Sequence, residues 1–319
     1  MIRHRAVWLL TDAAMDAHHA PGHPERPERR VAVAAGVRDA AGEALVEAAC
    51  REATDAELAR VHEPRYLELL DALDRQGTAW LDADTYLVPG SMRAARLAAG
   101  ATIQAALAVA TGEASVAVAA VRPPGHHAAS GRGAGFCLYN NVALAAAALR
   151  AEGLSERIAI VDWDVHHGDG TQAIFDADAE LCYASTHQAP FYPGTGDAGD
   201  RGHGHAAGTK HNVPLRPGDG DGRFVTAWTE TLLPAVEAFA PQAILLSAGF
   251  DAHRSDPLAH LEVTEAGYGR VARALGELVA RLGLPGVALT LEGGYDLPAL
   301  RASVAETVRE LVDGLGPSS

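Results

Sequence analysis

Cysteine is scarce in this sequence. The three residues, Cys50, Cys137 and Cys182, are odd in number and have no CxxC spacing, which excludes a disulfide framework and a thiolate metal site. Buried, reduced thiols are expected. Long apolar runs are missing too: the Ala-rich stretch at 141–149 falls far short of the roughly 20 residues that span a bilayer. No charged-then-apolar leader opens the sequence, so a cytoplasmic location and no membrane partner are expected. Basic charge is also in deficit, with 26 Lys and Arg against 41 Asp and Glu and a formal net charge of −15. That balance argues against a surface tracking nucleic-acid phosphates and favours cationic ligands. Lysine is nearly absent: Lys210 stands alone against 25 arginines, a bias of genome composition from which no function follows.

What is present suffices for a globular protein: 319 residues at 48% hydrophobic content can bury a substantial core. Short β-branched runs alternate with longer Ala/Leu segments, the pattern of an α/β protein whose parallel sheet is covered on both faces. Strands are expected at 6–10, 115–121, 157–162, 181–185, 243–248 and 286–291. Helices are expected at 24–40, 91–111, 140–151, 223–239, 264–282 and 297–314, the fifth capped by Thr264. Long Gly/Pro/Asp-rich loops fill 122–139, 186–222 and 249–263, and loops of that length are usually functional. No repeat or flexible linker divides the chain, so residues 1–319 read as a single domain.

Four segments share one design. "VAAVRPPGHHA", "IAIVDWDVHHGDGT", "ILLSAGFDAH" and "ALTLEGGYD" each run from an apolar strand straight into ionisable residues. In open parallel sheets ligands bind outside the carboxyl ends of the strands, so four such ends can share a pocket. In "IAIVDWDVHHGDGT" strand alternation puts Asp162, Asp164 and His166 on one side. Asp164 and His166 can grip one cation, and Asp251 completes a three-ligand set with a position left for water. Carboxylates and imidazole together suit zinc and also admit Fe(II), Co(II) or Mn(II). Such an ion makes several carboxylates tolerable at a strand end; without one, an Asp–His pair can simply cap a helix or meet an arginine. His126 and His127 follow the rigid "RPPG" turn and suit proton transfer, with Asp162 and Asp169 available to orient their rings. Tyr295 in "EGGYD" can aim a phenolic O–H at a developing oxyanion.

In this order the motifs resemble the histone deacetylase family, specifically its class II-like bacterial branch with the acetylpolyamine amidohydrolases and acetoin-utilisation-type proteins. The resemblance runs through "GHPERPERR", "RPPGHHA", "GFCLYNNVALAA", "DWDVHHGDGTQ", "STHQAPFYPGTG", "NVPL", "SAGFDAHRSDPL" and "LEGGY", about residues 18 to 310. It implies an arginase/deacetylase-like fold with long loops at the strand C-terminal ends. It makes Asp164, His166 and Asp251 zinc ligands and His127 the general base and then acid. His126 becomes an electrostatic partner held by Asp162, Asp169 orients His127, and Tyr295 polarises the acetyl carbonyl. Relatives often carry Asn where Asp169 stands. Phe136 and Tyr192 match the walls of an acyl-lysine tunnel, with Tyr in place of Phe at 192, and the Gly135 carbonyl matches an acceptor for the substrate amide.

Asp84 aligns with a rim aspartate that anchors the substrate backbone, and Arg29 with an arginine lining an acetate-release channel. The resemblance further implies potassium or sodium at Asp162, Asp164, His166, Ser185 and Thr186. A second such site would lie around Phe175, Asp178, Leu181 and Thr209. Acetylpolyamine enzymes carry a carboxylate where this chain has Leu258, whereas enzymes acting on peptidyl acetyl-lysine carry leucine. The expected activity is therefore zinc-dependent removal of acetyl groups from the lysine ε-amine of proteins or peptides, with small acetylated amines as the alternative. A homo-oligomer is compatible with this reading. Two other readings are weaker: a binuclear manganese hydrolase needs a second set of ligands that the sequence lacks, and a silent acyl-lysine binder has no use for intact histidines and Tyr295.

Overall fold

Ten strands and ten α-helices are found among the described residues, 6–316, of the computed structural model. In chain order the strands are β1 Val7–Leu10, β2 Leu45–Ala48, β3 Ala79–Trp80, β4 Tyr86–Leu87, β5 Val116–Ala119, β6 Ile158–Asp162, β7 Leu181–Gln188, β8 Lys210–Leu215, β9 Ala243–Ala248 and β10 Val287–Leu291. The helices are α1 Glu28–Ala41, α2 Asp55–Leu58, α3 Pro64–Gln76, α4 Ser91–Ala110, α5 Asn141–Ala151, α6 Asp169–Phe175, α7 Asp221–Thr226, α8 Leu233–Phe239, α9 Glu265–Arg281 and α10 Leu297–Gly314.

Eight strands form one sheet in the order β2-β1-β5-β10-β9-β6-β7-β8, with every pairing parallel. Alternate residues of the central strands feed two different cores. Val116, Val118, Val161, Ile244, Leu246, Val287 and Leu289 pack with Val33 and Val37 of α1, Val271 and Leu275 of α9, and Val304 and Val308 of α10. Ala117, Ala119, Ile158, Ile160, Leu245 and Ala288 pack on the other face with Ala94, Leu97 and Ala101 of α4 and Val142 and Ala146 of α5. Burial on both faces is why these strands read as unbroken apolar runs instead of alternating ones.

Six expected strands and six expected helices are present, most within a residue or two of their expected ends. The sheet edges β2 and β8 were not expected. Edge strands need no continuous apolar run: β2 is half exposed, and β8 carries Pro214, which an edge tolerates. The helix expected from residue 24 starts only after Pro27, whose missing N–H suits a helix start. The helix expected over 223–239 begins at Asp221 and widens into a π-turn at Ala227–Leu232, just before Pro234 interrupts its hydrogen-bond ladder. Thr264 does precede α9, but its hydroxyl donates to Asp221 Oδ2 at 2.8 Å instead of capping the helix. α3 was also unexpected, although Tyr66 and Leu70, buried on one face four residues apart, are an amphipathic signal. Cys137 and Cys182 are buried and free as expected, whereas Cys50 is only half-buried. No described helix is long and apolar enough to cross a membrane.

Candidate active site

The four segments singled out in the sequence leave β5, β10, β9 and β6, which are consecutive neighbours in the centre of the sheet. β6 ends at Asp162, yet Asp162, Asp164 and His166 still share a side, because two consecutive Asx-type bonds prolong the alternation. Asp162 Oδ1 accepts from Asp164 N at 3.2 Å, and Asp164 Oδ1 accepts from His166 N at 2.8 Å. Trp163 and Val165, between them, turn into the core.

Ligand atoms of Asp164, His166 and Asp251 lie within 4.8 Å of one another. Asp251 Oδ1 accepts from Val165 N at 2.9 Å, and Asp164 Oδ2 accepts from Gly293 N at 2.7 Å. His166 Nδ1 faces Asp164 Oδ1 at 3.0 Å and Asp251 Oδ2 at 3.2 Å, and one nitrogen cannot satisfy both. Asp251 Oδ2 is buried without a hydrogen-bond partner. Burial opposes a charge on His166, but Asp164 and Asp251 override it and push the imidazole up to about 10. Burial, and next the charge of Asp164, raise the Asp251 carboxyl. An orphan carboxylate oxygen among two acids and an imidazole fits a divalent cation. The fit continues at Gly293, where a Cβ would stand 1.9 Å from Asp251 Oδ2. Only glycine leaves room for the carboxylate there.

The two histidines after β5 are held differently. His126 Nδ1 meets Asp162 Oδ2 at 3.0 Å, and the same oxygen accepts from the Tyr183 hydroxyl at 3.0 Å. Burial disfavours its charge, but Asp162 and Asp164 outweigh that and raise it well above an ordinary imidazole. His127 Nδ1 meets Asp169 Oδ1 at 2.8 Å. Burial and then the neighbouring His126 lower His127 to about 3, against the opposing pull of Asp169. One imidazole is set up to carry charge and its neighbour to be neutral. Tyr295 is buried, and burial keeps its phenol protonated by raising it well above 10. The Arg29 guanidinium lies over its ring at 4.6 Å, and its backbone N–H donates to Asp256 Oδ2 at 2.7 Å.

A cleft of about 270 Å³ is lined by His126, His127, Asp164, His166 and Tyr295 together with Asp84, Gly135, Phe136, Tyr192 and Leu258. Phe136 is held at φ 69°, an unusual value for a non-glycine residue. Its N–H donates to Thr85 Oγ1 at 3.0 Å, and its ring meets that of Tyr295 edge-on at 6.0 Å.

Compared with known protein families, the chain matches the histone deacetylase domain over residues 23–311. It belongs to the histone deacetylase family. It is 41% identical over 300 residues to Histone deacetylase 15 of Arabidopsis thaliana, covering 92% of this chain and 53% of that one. With Polyamine deacetylase HDAC10 of Homo sapiens it shares 37% identity over 306 residues, 92% of this chain and 45% of the human one. The chain thus spans about half the length of these two relatives. The crystal structure of the HDA15 HD domain superposes with a TM-score of 0.91 at 38% identity, covering 98% of this chain and 90% of that one. Family membership marks this chain as a deacetylase-family hydrolase, in a family that is generally metal-dependent.

All eight residues expected to hold metal or do chemistry in this deacetylase-family protein converge, as do the five expected at the substrate. Arg29 lies behind Tyr295, donating to the Gly294 carbonyl at 2.6 Å and to the Glu292 carbonyl. Of the inner monovalent set, the Ser185 hydroxyl pairs with His187 Nδ1 at 3.0 Å, and the Thr186 hydroxyl accepts from Trp228 Nε1 at 3.1 Å. The oxygens of the second monovalent set meet groups of the protein itself. Phe175 O accepts from Asp178 N at 2.9 Å and Thr209 O from Tyr183 N at 3.0 Å. Asp178 O, Leu181 O and Thr209 Oγ1 all accept from the ammonium of Lys210.

Three residues that shape the site were not anticipated. Glu292 accepts from Gly125 N, His126 N and the Ser247 hydroxyl at 2.7, 3.0 and 3.1 Å, and so fixes the histidine loop. Its signal was an acid placed directly after β10, the criterion that singled out Asp162. Arg132 donates to Asp169 Oδ2 at 2.7 Å, and Phe191 stacks on His166 at 5.3 Å. Both come from loops, where no periodicity reports what a side chain will meet.

Proposed function

We propose that this protein is a zinc-dependent deacetylase that removes acetyl groups from the ε-amine of lysine in proteins or peptides. The observation that carries the proposal is the orphaned Asp251 Oδ2 within the Asp164, His166 and Asp251 cluster, beside a neutral His127 and a protonated Tyr295. Asp164, His166 and Asp251 would hold the ion, which supplies Lewis acidity toward water and the acyl oxygen. His127 Nε2 takes a proton from the attacking water while Asp169 steadies Nδ1, and it later returns that proton to the leaving amine. His126, held by Asp162, offers positive charge beside the developing anion. The Tyr295 O–H donates to the carbonyl oxygen as it becomes an oxyanion. Phe136 and Tyr192 flank the acyl chain, the Gly135 carbonyl accepts the amide N–H, and Asp84 meets the substrate backbone at the rim. Asp162, Asp164, His166, Ser185 and Thr186 would hold a potassium or sodium ion, which would stiffen the end of β6.

The decisive experiment is release of acetate from a fluorogenic acetyl-lysine peptide, its loss with a chelator and its return with zinc. Binding without release by the zinc-loaded protein would leave an acyl-lysine binding module. Deacetylation of small acetylated amines is the second reading, favoured by similarity to a polyamine deacetylase and by the net charge of −15. Leu258 in the cleft supports the first, because an apolar side chain cannot compensate the desolvation of a second cationic amine.

A further inference from the structure

Lys210 is the single lysine of the 319-residue chain, and it is fully buried at the start of β8. A buried charge is costly unless its hydrogen-bonding capacity is met. Here each ammonium proton has an oxygen: Leu181 O at 2.7 Å, Thr209 Oγ1 at 2.7 Å and Asp178 O at 3.1 Å. No described carboxylate lies within 4.0 Å of the ammonium, since the Asp178 side chain is engaged by Arg150 and Glu180 N. The Asp176 carboxylate meets His203 through Oδ2, and its Oδ1 is buried without a hydrogen-bond partner. Two carbonyls and a hydroxyl, all neutral, are the ligand type that suits a hard monovalent cation. The residue type matters because an ammonium is a compact point charge with three divergent donors. The planar guanidinium that this sequence uses everywhere else cannot answer three converging oxygens. Burial lowers the amine only to about 8, so it stays protonated at neutral pH.

We propose that the Lys210 ammonium is a tethered monovalent cation, filling from within the chain an oxygen cage that would otherwise take potassium from solution. The cage joins the turn before β7, through Asp178, and the first residue of β7, Leu181, to the end of the loop leading into β8, through Thr209. A permanent occupant therefore fastens the last two strands of the sheet whatever the ionic composition of the medium.

The test compares wild type, Lys210→Thr and Lys210→Met by thermal unfolding in choline chloride and in potassium chloride at equal ionic strength. Any other monovalent site contributes equally to all three. In choline chloride Lys210→Thr should unfold at least about 4 °C below wild type. Potassium should close more than half of that gap saturably for Lys210→Thr but not for Lys210→Met, whose side chain blocks the cage. A gap that is absent in choline, or that potassium leaves unchanged in Lys210→Thr, overturns the proposal. Crystals of the wild type soaked in rubidium provide a check that needs no variant: no anomalous peak is expected among Asp178 O, Leu181 O and Thr209 Oγ1, and a peak there overturns it.

Discussion

Asp251 Oδ1 accepts from Val165 N, whereas Oδ2 makes no hydrogen bond and faces only a His166 Nδ1 that Asp164 claims at shorter range, which leaves it open to a cation. Replacing Asp251 or His166 with alanine leaves two ligands of three, and bound zinc should fall far below one ion per chain by elemental analysis. Full occupancy in both variants would refute the ligand assignment. Tyr295→Phe keeps the ring over which Arg29 lies and removes only the O–H. It should retain zinc while kcat falls by roughly 10²–10³, the usual cost of one oxyanion donor; near wild-type turnover would reduce Tyr295 to a packing residue. For His127 the sign follows from its environment. Burial, then His126, lower it from 6.5 to about 3, and a base acts only when deprotonated. Activity is therefore lost as pH falls through its pKa, and the acid limb of kcat/KM should lie below pH 6.5. Arg132→Ala removes a cation beside Asp169, so that carboxylate pulls harder on the His127 proton and the limb should move upward. The arginine side chain is 61% exposed, which limits the shift to less than about one pH unit and makes it sensitive to salt. An unmoved or downward limb would detach Arg132 from the dyad.

At the scale of the element, each catalytic loop is positioned by a neighbouring strand end. The histidine loop after β5 hangs its Gly125 and His126 amides on Glu292, which directly follows β10. Gly293 then donates to Asp164, beyond β6, and Asp164 in turn accepts from His166. Glu292→Ala strips acceptors from two buried amides and from Ser247, a loss of roughly 2–5 kcal/mol in unfolding free energy. Glu292→Gln, which keeps one acceptor and the volume, should lose less. Chemical denaturation of both variants measures this, and an alanine variant within about 0.5 kcal/mol of wild type would mean that water replaces the carboxylate.

Across the whole molecule, two features pull substrate choice in opposite directions. The net charge of −15 attracts polycations from a distance, while Leu258 in the cleft offers a second ammonium no partner. Long-range attraction is screened over about 10 Å at 0.1 M salt, so near physiological ionic strength the local contact should decide. Acetyl-lysine peptides are expected to show higher kcat/KM than N8-acetylspermidine, and Leu258→Glu should shift the ratio toward the polyamine. A charge-assisted hydrogen bond of about 1.5–3 kcal/mol corresponds to a change of roughly ten- to a hundredfold. Polyamine turnover above that of every peptide tested, at physiological salt, would favour the small-amine reading.

The sequence by itself determined the elements whose signal is local. The central strands were legible as short apolar runs because both of their faces are buried. The ligand and base candidates were legible because ionisable residues right after such runs have no cheap structural use. Tertiary structure decided what depends on position in the sheet. Edge strands β2 and β8 lack a core on one side and so lack the run. Only the order β5-β10-β9-β6 makes four loops from distant parts of the chain into neighbours. Glu292, Arg132 and Lys210 gained their roles the same way, since a single charged residue in a sequence carries no mark of the oxygens or amides it will meet. Lys210 read as a compositional accident, and the fold placed it among three oxygens that only a small cation can satisfy at once.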